Sequence, residues 1–362
     1  MTTLAPGAAP ARSAVFHELT VAAVDHLCDD AAAITFDVPA ALRDAYAFRA
    51  GQSLTLRRFV DGREERRSYS ICAPAGAAPR IGVREIPGGL FSSWLVHEVT
   101  PGTRIEVQTP TGSWQADPAL GERHLCIAAG SGITPMLSVA STVLTHPAAQ
   151  VTLLYGNRTS RTVMFTEELG DLKNRYGPRL QIAHVLSREP RDVELFSGRL
   201  DHDRLTRLLT GLVPVEAFDH VWLCGPLQMV QDARRALTGL GVPADRVHVE
   251  LFYVDAPPPQ PRRTDDTLTG ATAELTVVLD GLRTTSRVPR ETTVLEGAQR
   301  TRADLPFACK GGVCGTCRAL VRDGEADMRR NYALEPAEVD AGFVLTCQSF
   351  PATGTVTVDY DA

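Results

Sequence analysis

Four cysteines near the end of the chain constrain its fold more than any other feature. Cys309, Cys314 and Cys317 share one short segment with the spacing C-x4-C-x2-C, and Cys347 follows after 29 further residues. Three glycines lie inside the segment, so its backbone can turn sharply and direct N–H groups at sulfur atoms. A loop of this kind can bring four thiols to one place, which indicates a site for iron or another thiophilic metal.

Thiolates are the ligands that iron–sulfur clusters prefer, and this spacing is typical of a plant-type [2Fe–2S] cluster. Two alternatives compete with it, a structural zinc site and four unrelated core cysteines. Zinc ribbons favour two C-x2-C pairs, whereas this chain has only one. We therefore predict that Cys309, Cys314, Cys317 and Cys347 bind a [2Fe–2S] cluster.

The composition fits a multidomain globular protein. The chain has 362 residues, 44% of them hydrophobic, and at roughly 100–200 residues per domain this predicts two or three domains. The net charge of -6 argues against general nucleic-acid binding, and no stretch approaches the roughly 20 apolar residues of a membrane span. Residues 1–15 lack the apolar core of a signal peptide. We expect a reduced, cytoplasmic protein with no membrane and no nucleic-acid partner.

The hydrophobic pattern divides the chain into four segments. Residues 14–116 contain short alternating runs separated by Gly, Pro and Asp, which predicts an antiparallel β-barrel. Residues 117–254 alternate apolar runs with helical stretches, which predicts an α/β domain with a parallel sheet. Residues 255–270 are rich in Pro, Asp and Arg and predict a semi-rigid linker. Residues 271–362 carry the four cysteines and begin with a hairpin pattern that turns at Asp280-Gly281.

Two motifs of the barrel segment fit the binding of a flavin nucleotide. The first is Arg67-Ser68-Tyr69-Ser70, and the second is a glycine-containing stretch just before and into a predicted helix. An arginine can bind phosphate through two parallel hydrogen bonds, and glycines at a helix start leave N–H groups for an anion. The first motif is weak alone, since Tyr and Ser on a strand usually face core and solvent. The candidate residues of the second stretch are Val83, Arg84, Glu85, Gly88, Gly89, Leu90, Phe91 and Ser92.

Two loops of the α/β segment fit a nicotinamide nucleotide. The first predicted strand ends in Gly130-Ser131-Gly132-Ile133-Thr134-Pro135, where Pro135 stands in the place of the last glycine of G-x-G-x-x-G. We expect Thr134 to be the N-cap of the following helix and Pro135 its first residue. The last main strand ends at Cys224-Gly225-Pro226, the edge at which open α/β sheets bind ligands. Asn157 and Met229 are further candidates.

Arginines follow the second and third strands of the same segment. Arg158 follows the second, and Ser187-Arg188 follows the third. Arginine suits the 2′-phosphate of NADPH, whereas an acid would suit the free 2′-hydroxyl of NADH. The adjacent Glu189 weakens this argument, and exposed arginines are common. We predict NADPH as the cosubstrate.

At these motifs the chain resembles the ferredoxin–NADP reductase family, whose flavin domain is a six-stranded barrel followed by one helix. The resemblance implies that Arg67 pairs with a flavin phosphate, Tyr69 stacks on the flavin, and Ser70 lies near the flavin N5. It implies that the segment from Gly89 to Ser92 caps the pyrophosphate. FAD is favoured over FMN, although relatives differ in this respect.

The same resemblance implies four candidate catalytic residues, Ser70, Cys224, Glu250 and Phe252. In the family, the cysteine packs near the nicotinamide C4, an aromatic ring shields the flavin, and an acid lies near N5. These side chains would position and polarise the reacting centre, and none need act as a nucleophile. Glu250 is the weaker assignment of the last two, since surface glutamates need no function.

The last ~90 residues resemble plant-type ferredoxins, which have an α+β (β-grasp) fold. The order flavin, nicotinamide, ferredoxin resembles the reductase components of bacterial oxygenases. This resemblance covers nearly the whole chain and is sharpest at residues 329–336 and 345–349, whereas the Ala/Pro-rich residues 1–13 depart from it. It implies electron transfer from NADPH through FAD and a [2Fe–2S] cluster to an oxygenase component. The resemblance favours a di-iron oxygenase that acts on an aromatic CoA ester as the acceptor, and a reductase for a steroid, alkane or aromatic hydroxylase is the alternative. A redox-sensing or zinc-binding module is the alternative of another class.

Overall fold

The structure is a computed structural model that describes residues 15–112, 114–116, 123–252, 272–334 and 336–362. The Ala/Pro-rich residues 1–13 and the predicted linker at 255–270 lie outside these residues. The chain divides into a larger compact unit, Phe16–Val254, and a smaller one whose described part begins at Thr272. No helix in the described ranges is both long enough and apolar enough to span a bilayer.

Six antiparallel strands form a barrel in the first part of the larger unit. They are β1 (Phe16–Cys28), β2 (Ala31–Asp37), β3 (Ser53–Val60), β4 (Arg63–Ser70), β5 (Arg80–Arg84) and β6 (Arg104–Gln108). Their order is β4-β3-β6-β1-β2-β5. The edges meet where Ile71 pairs with Ile81 and the Cys72 N–H donates to the Arg80 carbonyl at 2.8 Å. Helix α1 (Ser92–His97) buries Leu95 in the barrel core.

The second part of the larger unit is a parallel sheet with helices. Its strands are β7 (Arg123–Ala129), β8 (Gln150–Asn157), β9 (Leu180–Leu186), β10 (His220–Cys224) and β11 (Val247–Glu250). Its helices are α2 (Ile133–Val143), α3 (Thr166–Tyr176), α4 (His202–Gly211) and α5 (Leu227–Gly239). The order β11-β10-β7-β8-β9 reverses direction between β7 and β10. Ligands of such sheets bind at this switch point, where both predicted nucleotide loops begin.

The barrel packs directly on the α/β part. A Cβ added to Gly82 on β5 would lie 2.4 Å from the Thr134 methyl and 2.7 Å from the Phe165 ring. The Ser138 hydroxyl on α2 donates to the Ala73 carbonyl at 2.6 Å, and Arg80 pairs with Glu168 on α3 at 3.0 Å. Glycine at position 82 therefore lets β5 lie close against α2.

The smaller unit is an α+β fold around one mixed sheet. Its elements are β12 (Thr272–Leu279), β13 (Leu282–Pro289), α6 (Val294–Ala298), β14 (Arg318–Met328), α7 (Pro336–Asp340), β15 (Phe343–Leu345) and β16 (Ser349–Asp359). The order is β13-β12-β16-β14-β15, with β12 and β16 parallel. The predicted hairpin turn is present, since Asp280 and Gly281 have φ of 53° and 72°, as a type I′ turn requires.

Candidate functional site

The R-x-Y-S motif lies on β4, as predicted. The Arg67 guanidinium is about half exposed and donates to Glu65 Oε2 at 3.0 Å and to the Arg66 carbonyl at 2.7 Å. The Ser68 hydroxyl lies 2.8 Å from that of Thr55 on the neighbouring β3. Arg67 is thus held at the barrel surface by weak partners, which leaves it accessible to a phosphate group.

The second flavin motif forms a tight turn ahead of α1. Gly88 has φ of 73°, and the Gly89 N–H donates to the Ile86 carbonyl at 2.7 Å, which is a type II turn. The Ser92 hydroxyl accepts from the Ile86 N–H at 3.0 Å, and a Cβ on Gly89 would lie 2.6 Å from that oxygen. Both glycines are therefore required by the backbone, and the segment fits a close-lying anionic group.

The acidic residue Glu85 precedes that turn, and the aromatic residue Phe91 follows it. Phe91 is buried with its ring 6.3 Å from that of Tyr69, whereas Leu90 is 64% exposed. Burial raises the pKa of Tyr69, so its hydroxyl stays neutral. Glu85 lies 2.9 Å from the His97 ring nitrogen and accepts from Ser93 at 2.8 Å, and these partners, His97 first, lower its pKa.

The sequence assigns Arg84 to the flavin, whereas the structure places its guanidinium beside the nicotinamide loop. Its Nη2 donates to the Thr162 carbonyl at 2.5 Å, and its Nε lies 3.2 Å from Asp30 Oδ1. A Cβ on Gly130 would lie 3.2 Å from its Nη1. The preceding residue, Val83, points into the barrel core. Arg84 therefore joins β5 to the α/β part of the unit.

The two nucleotide loops of the parallel sheet touch through their backbones. A Cβ on Gly132 would lie 2.1 Å from the Cys224 carbonyl oxygen, and one on Gly225 would lie 2.8 Å from Met229 Cε. The buried Tyr155 hydroxyl donates to the Gly130 carbonyl at 3.1 Å and so holds the first loop from β8. Tyr155 is a positioning residue that the sequence reasoning missed, because an apolar strand gives no signal for it.

The predicted start of α2 is wrong. The helix begins at Ile133, directly after a 3-10 turn at Gly130–Gly132, so Pro135 is its third residue. Thr134 is buried in the first turn, and its hydroxyl donates to the Ser131 carbonyl at 3.0 Å instead of accepting from an N–H group. The reason is packing, because the Thr134 methyl lies against Gly82 of the barrel.

Three of the four candidate catalytic residues converge. The Ser70 hydroxyl lies 3.0 and 3.1 Å from the two carboxyl oxygens of Glu250, and Cys224 pairs with Glu250 across β10 and β11. Burial raises the pKa of Glu250 to about 8 and that of the Cys224 thiol well above its usual value. Phe252, two residues beyond Glu250, packs on the core of the α/β part. At neutral pH Glu250 is mostly protonated and Cys224 is a neutral thiol.

Arginines surround a pocket of about 270 Å³ at the ends of β8 and β9. Its lining residues are Asp29, Asp30, Arg158, Arg161, Thr162 and Arg188. Arg158 pairs with Asp30 at 2.8 Å, and the highly exposed Arg161 lies 3.8 Å from Asp29. Three arginines against two aspartates leave the pocket suited to an anion.

The carboxylate of Glu189, the residue that weakened the prediction of NADPH, is hydrogen-bonded to Ser160. Its carboxylate accepts from the Ser160 N–H at 2.8 Å and from the Ser160 hydroxyl at 2.9 Å, and these bonds lower its pKa. The Ser187 N–H donates to the Asn157 carbonyl at 2.9 Å. The Asn157 side chain is 8% exposed, and its polar atoms meet no hydrogen-bond partner among the described residues. An orphaned amide at the nucleotide edge of the sheet fits a bound polar ligand.

The four clustered cysteines form two thiol pairs. The thiols influence one another in two pairs, Cys309 with Cys314 and Cys317 with Cys347. The Gly311 N–H lies 3.3 Å from Cys309 Sγ, and the bond from Cys314, together with this N–H, lowers the pKa of Cys309 to about 5. The pKa of Cys347 is also lowered, whereas those of Cys314 and Cys317 are raised, so each pair holds one readily ionised thiol.

The pairing favours a binuclear cluster over a single zinc ion. Two pairs of thiols suit two irons, each with two protein sulfurs. The residues present therefore fit a [2Fe–2S] cluster.

Residues 329–336 and 345–349, in which the resemblance was sharpest, form hydrogen bonds with the cysteine loop and with each other. The Tyr332 N–H donates to the Gly312 carbonyl at 3.1 Å, and the Arg329 N–H donates to the Gln348 carbonyl at 2.9 Å. The Gln348 side chain donates to the Lys310 carbonyl at 2.8 Å. Gln348 is a second residue that the sequence reasoning missed.

Family models match three parts of the chain. An oxidoreductase FAD-binding domain matches residues 18–116, an oxidoreductase NAD-binding domain matches 126–235, and a 2Fe-2S iron-sulfur cluster binding domain matches 277–352. The last range includes all four clustered cysteines. The chain thus has FAD-binding, NAD-binding and [2Fe–2S] domains in the order that the sequence predicted.

Relatives match the chain over nearly its full length. It is 43% identical to a subunit of 1,2-phenylacetyl-CoA epoxidase from Escherichia coli (strain K12), over 96% of this chain and 98% of that protein. It is 33% identical to the ferredoxin reductase component of 3-ketosteroid-9-alpha-monooxygenase from Rhodococcus rhodochrous, over 94% and 96%. Among solved structures, phthalate dioxygenase reductase matches with a TM-score of 0.60 at 24% identity, covering 95% and 98%, which supports the fold.

Proposed function

Because the chain belongs to the family of oxygenase reductase components with FAD-binding, NAD-binding and [2Fe–2S] domains, we propose that it carries electrons from NADPH to the di-iron oxygenase component of a ring-1,2-phenylacetyl-CoA epoxidase. The chain is therefore an oxidoreductase, as the members of that family are. The observation that carries the proposal is the full-length 43% identity to one of the proteins that make up such an epoxidase. The convergence of Ser70, Glu250 and Cys224 at the switch point of the sheet supports it.

We assign the residues of the three sites as follows. Arg67 would hold a flavin phosphate, Tyr69 would stack on the ring system, and the turn at Gly88 and Gly89 would admit the pyrophosphate. The loops at Gly130 and Cys224 would hold the nicotinamide nucleotide, and the four cysteines would bind the cluster. When bound, FAD and the cluster supply the change from two-electron to one-electron transfer. The Ser70 hydroxyl donates to the Glu250 carboxyl group, and this pair would lie beside the bound flavin.

The arginine pocket supports NADPH as the donor. Arg188 is exposed beside the pocket, and Glu189 is occupied by Ser160. We expect Arg188→Ala to raise the KM for NADPH about tenfold and to leave the KM for NADH unchanged, because only NADPH carries the 2′-phosphate. Arg234→Ala, at an exposed position of α5, is the matched control. Equal effects of R188A on both nucleotides would contradict the assignment.

The partner is tested by reconstitution. The purified protein is mixed with NADPH, oxygen and either a phenylacetyl-CoA epoxidase component with phenylacetyl-CoA or a 3-ketosteroid oxygenase component with its steroid. Oxygen-dependent product in the first mixture alone is the expected result. Turnover in the steroid mixture alone would contradict the epoxidase proposal and would indicate a steroid oxygenase as the electron acceptor. The 33% identical relative makes a steroid oxygenase the second candidate.

We propose the cytoplasm as the compartment. None of the eight cysteines forms a disulfide, and a supply of NADPH is characteristic of a reducing interior. Cell fractionation with a cytoplasmic marker tests the location, and recovery with a membrane or secreted fraction would contradict it. The predicted lack of a nucleic-acid partner stays a prediction from charge.

A further inference from the structure

Gln348 follows the fourth cysteine of the cluster site and is completely buried. It ends the 3-10 turn Thr346–Gln348 between β15 and β16. Its side-chain nitrogen lies 2.8 Å from the Lys310 carbonyl, 3.0 Å from the Cys347 carbonyl and 3.4 Å from Cys347 Sγ. One amide group therefore reaches both the loop of the first cysteines and the last one.

The chemistry of these neighbours fixes which end of the amide faces them. Two are carbonyl oxygens and the third is a sulfur atom, and all three accept hydrogen bonds. Turning the amide over would set its oxygen against three acceptors, so the NH2 group must point at Cys347 and Lys310. The amide oxygen has no hydrogen-bond partner within the described ranges.

The surrounding backbone holds this side chain in place. A Cβ on Gly312 would lie 3.0 Å from Gln348 Cγ, so the cysteine loop packs directly on it. The Arg329 N–H donates to the Gln348 carbonyl at 2.9 Å, which anchors the residue from the other side. A donor fixed in this way keeps its direction when the charge at the sulfur changes.

We propose that Gln348 is a positioning residue that raises the reduction potential of the [2Fe–2S] cluster through its hydrogen bond to Cys347 Sγ. The proposal rests on the cysteine ligand set proposed above. Reduction adds one negative charge to the cluster, and a hydrogen bond to a ligand sulfur stabilises that charge. Without the donor, the same electron is taken up less readily. Gln348 thereby sets how readily electrons collect at the cluster before they leave for the acceptor.

The test is a redox titration of the full-length protein, with the cluster followed by EPR. We expect Gln348→Met to lower the equilibrium constant for one-electron reduction by up to about tenfold, which is ~59 mV. The matched control is Gln299→Met, since Gln299 accepts from the Lys310 ammonium at 3.3 Å but donates no bond to a cysteine sulfur. A Q348M potential equal to that of the wild type and of Q299M overturns the proposal.

If Q348M fails to assemble its cluster, a second measurement on the wild-type protein tests the proposal. Wild-type protein carrying 15N-labelled glutamine side chains is examined by pulsed EPR in the reduced state. A 15N coupling to the cluster supports the proposal, and its absence overturns it. The assignment of Cys347 as a cluster ligand is tested separately with Cys347→Ala. If that assignment were wrong, the variant would keep an unaltered cluster signal.

Discussion

The carboxyl group of Glu250 in the α/β part of the larger unit is hydrogen-bonded to the Ser70 hydroxyl of the barrel. Ser70 ends a barrel strand and Glu250 ends the edge strand of the parallel sheet, and their side chains meet at 3.0 Å. The raised pKa of Glu250, about 8, comes from burial, and the bond from Ser70 opposes it only in part. A protonated carboxyl can donate to Ser70, so the pair has one mobile proton near neutral pH.

We expect Glu250→Gln to remove a pH dependence. A group whose pKa is raised on folding stabilises the folded state at low pH, and that stability is lost as the pH rises through about 8. The wild type should therefore lose about 3 kcal/mol more than E250Q between pH 6 and 9, measured by urea unfolding. NADPH oxidation with ferricyanide should show an inflection near pH 8 in the wild type alone.

Glu189→Gln is the control for this experiment. Glu189 is paired with Ser160 outside this centre, and its pKa is lowered instead of raised. E189Q should keep the alkaline inflection of the wild type. If E250Q keeps it as well, another group titrates there and Glu250 is not the proton holder.

Among the secondary-structure elements, the turn between β7 and α2 is tightly constrained by the neighbouring loop. Gly132 approaches the backbone of the β10 loop so closely that a methyl group would overlap the Cys224 carbonyl at 2.1 Å. Backbone atoms cannot move aside as a flexible side chain can, so the two loops must separate to accept any larger residue. The shape of the nucleotide edge depends on that contact.

Gly132→Ala should therefore destabilise the protein by about 1–3 kcal/mol, as overpacking does. It should also weaken NADPH binding, because the loops that would cradle the nucleotide are displaced. Thermal unfolding and NADPH titration measure the two effects. Gly170→Ala is the matched control: an added Cβ there meets nothing within 4 Å in α3, and the change should stabilise by about 0.5–1 kcal/mol. Equal melting temperatures for G132A and the wild type would contradict this account.

Sequence pattern predicts elements well where their cause is local. The hairpin at Asp280-Gly281 follows from its turn residues, and the two nucleotide loops follow from glycines at strand ends. The start of α2 was predicted wrongly because it depends on Gly82, about 50 residues earlier, against which Thr134 packs. The bond between Ser70 and Glu250 spans 180 residues, so the resemblance to a family suggested their roles while local pattern could not.

At the scale of the whole molecule, the three domains have separable roles. The flavin and nicotinamide motifs lie in the larger unit, whereas the four cysteines lie in the smaller one. A reductase of this kind should therefore oxidise NADPH without its cluster but should fail to serve a one-electron acceptor that draws on the cluster.

We expect Cys347→Ala to abolish electron delivery to the oxygenase component while NADPH oxidation with ferricyanide stays within about twofold of the wild type. The physical reason is that Cys347 is a proposed cluster ligand in the smaller unit, whereas the FAD-binding and NAD-binding domains, where the hydride step would take place, lie in the larger one. Stopped-flow reduction by NADPH and the reconstituted oxygenase assay measure the two steps. Cys126→Ala, which removes a buried thiol outside the cluster, controls for general damage. Equal loss in both assays would show that the units depend on each other.

The close approach of β5 to α2 has a consequence for exchanging parts between related reductases. Gly82 accommodates Thr134 and Phe165, Ala73 accepts from Ser138, and Arg80 pairs with Glu168, so the barrel and the α/β part share one set of contacts. A chimaera cut between residues 116 and 123 would take these contacting residues from different parents, so it would need β5 and α2 from the same parent. Recombination at that point should yield few folded proteins, and those that survive should carry both elements from one source.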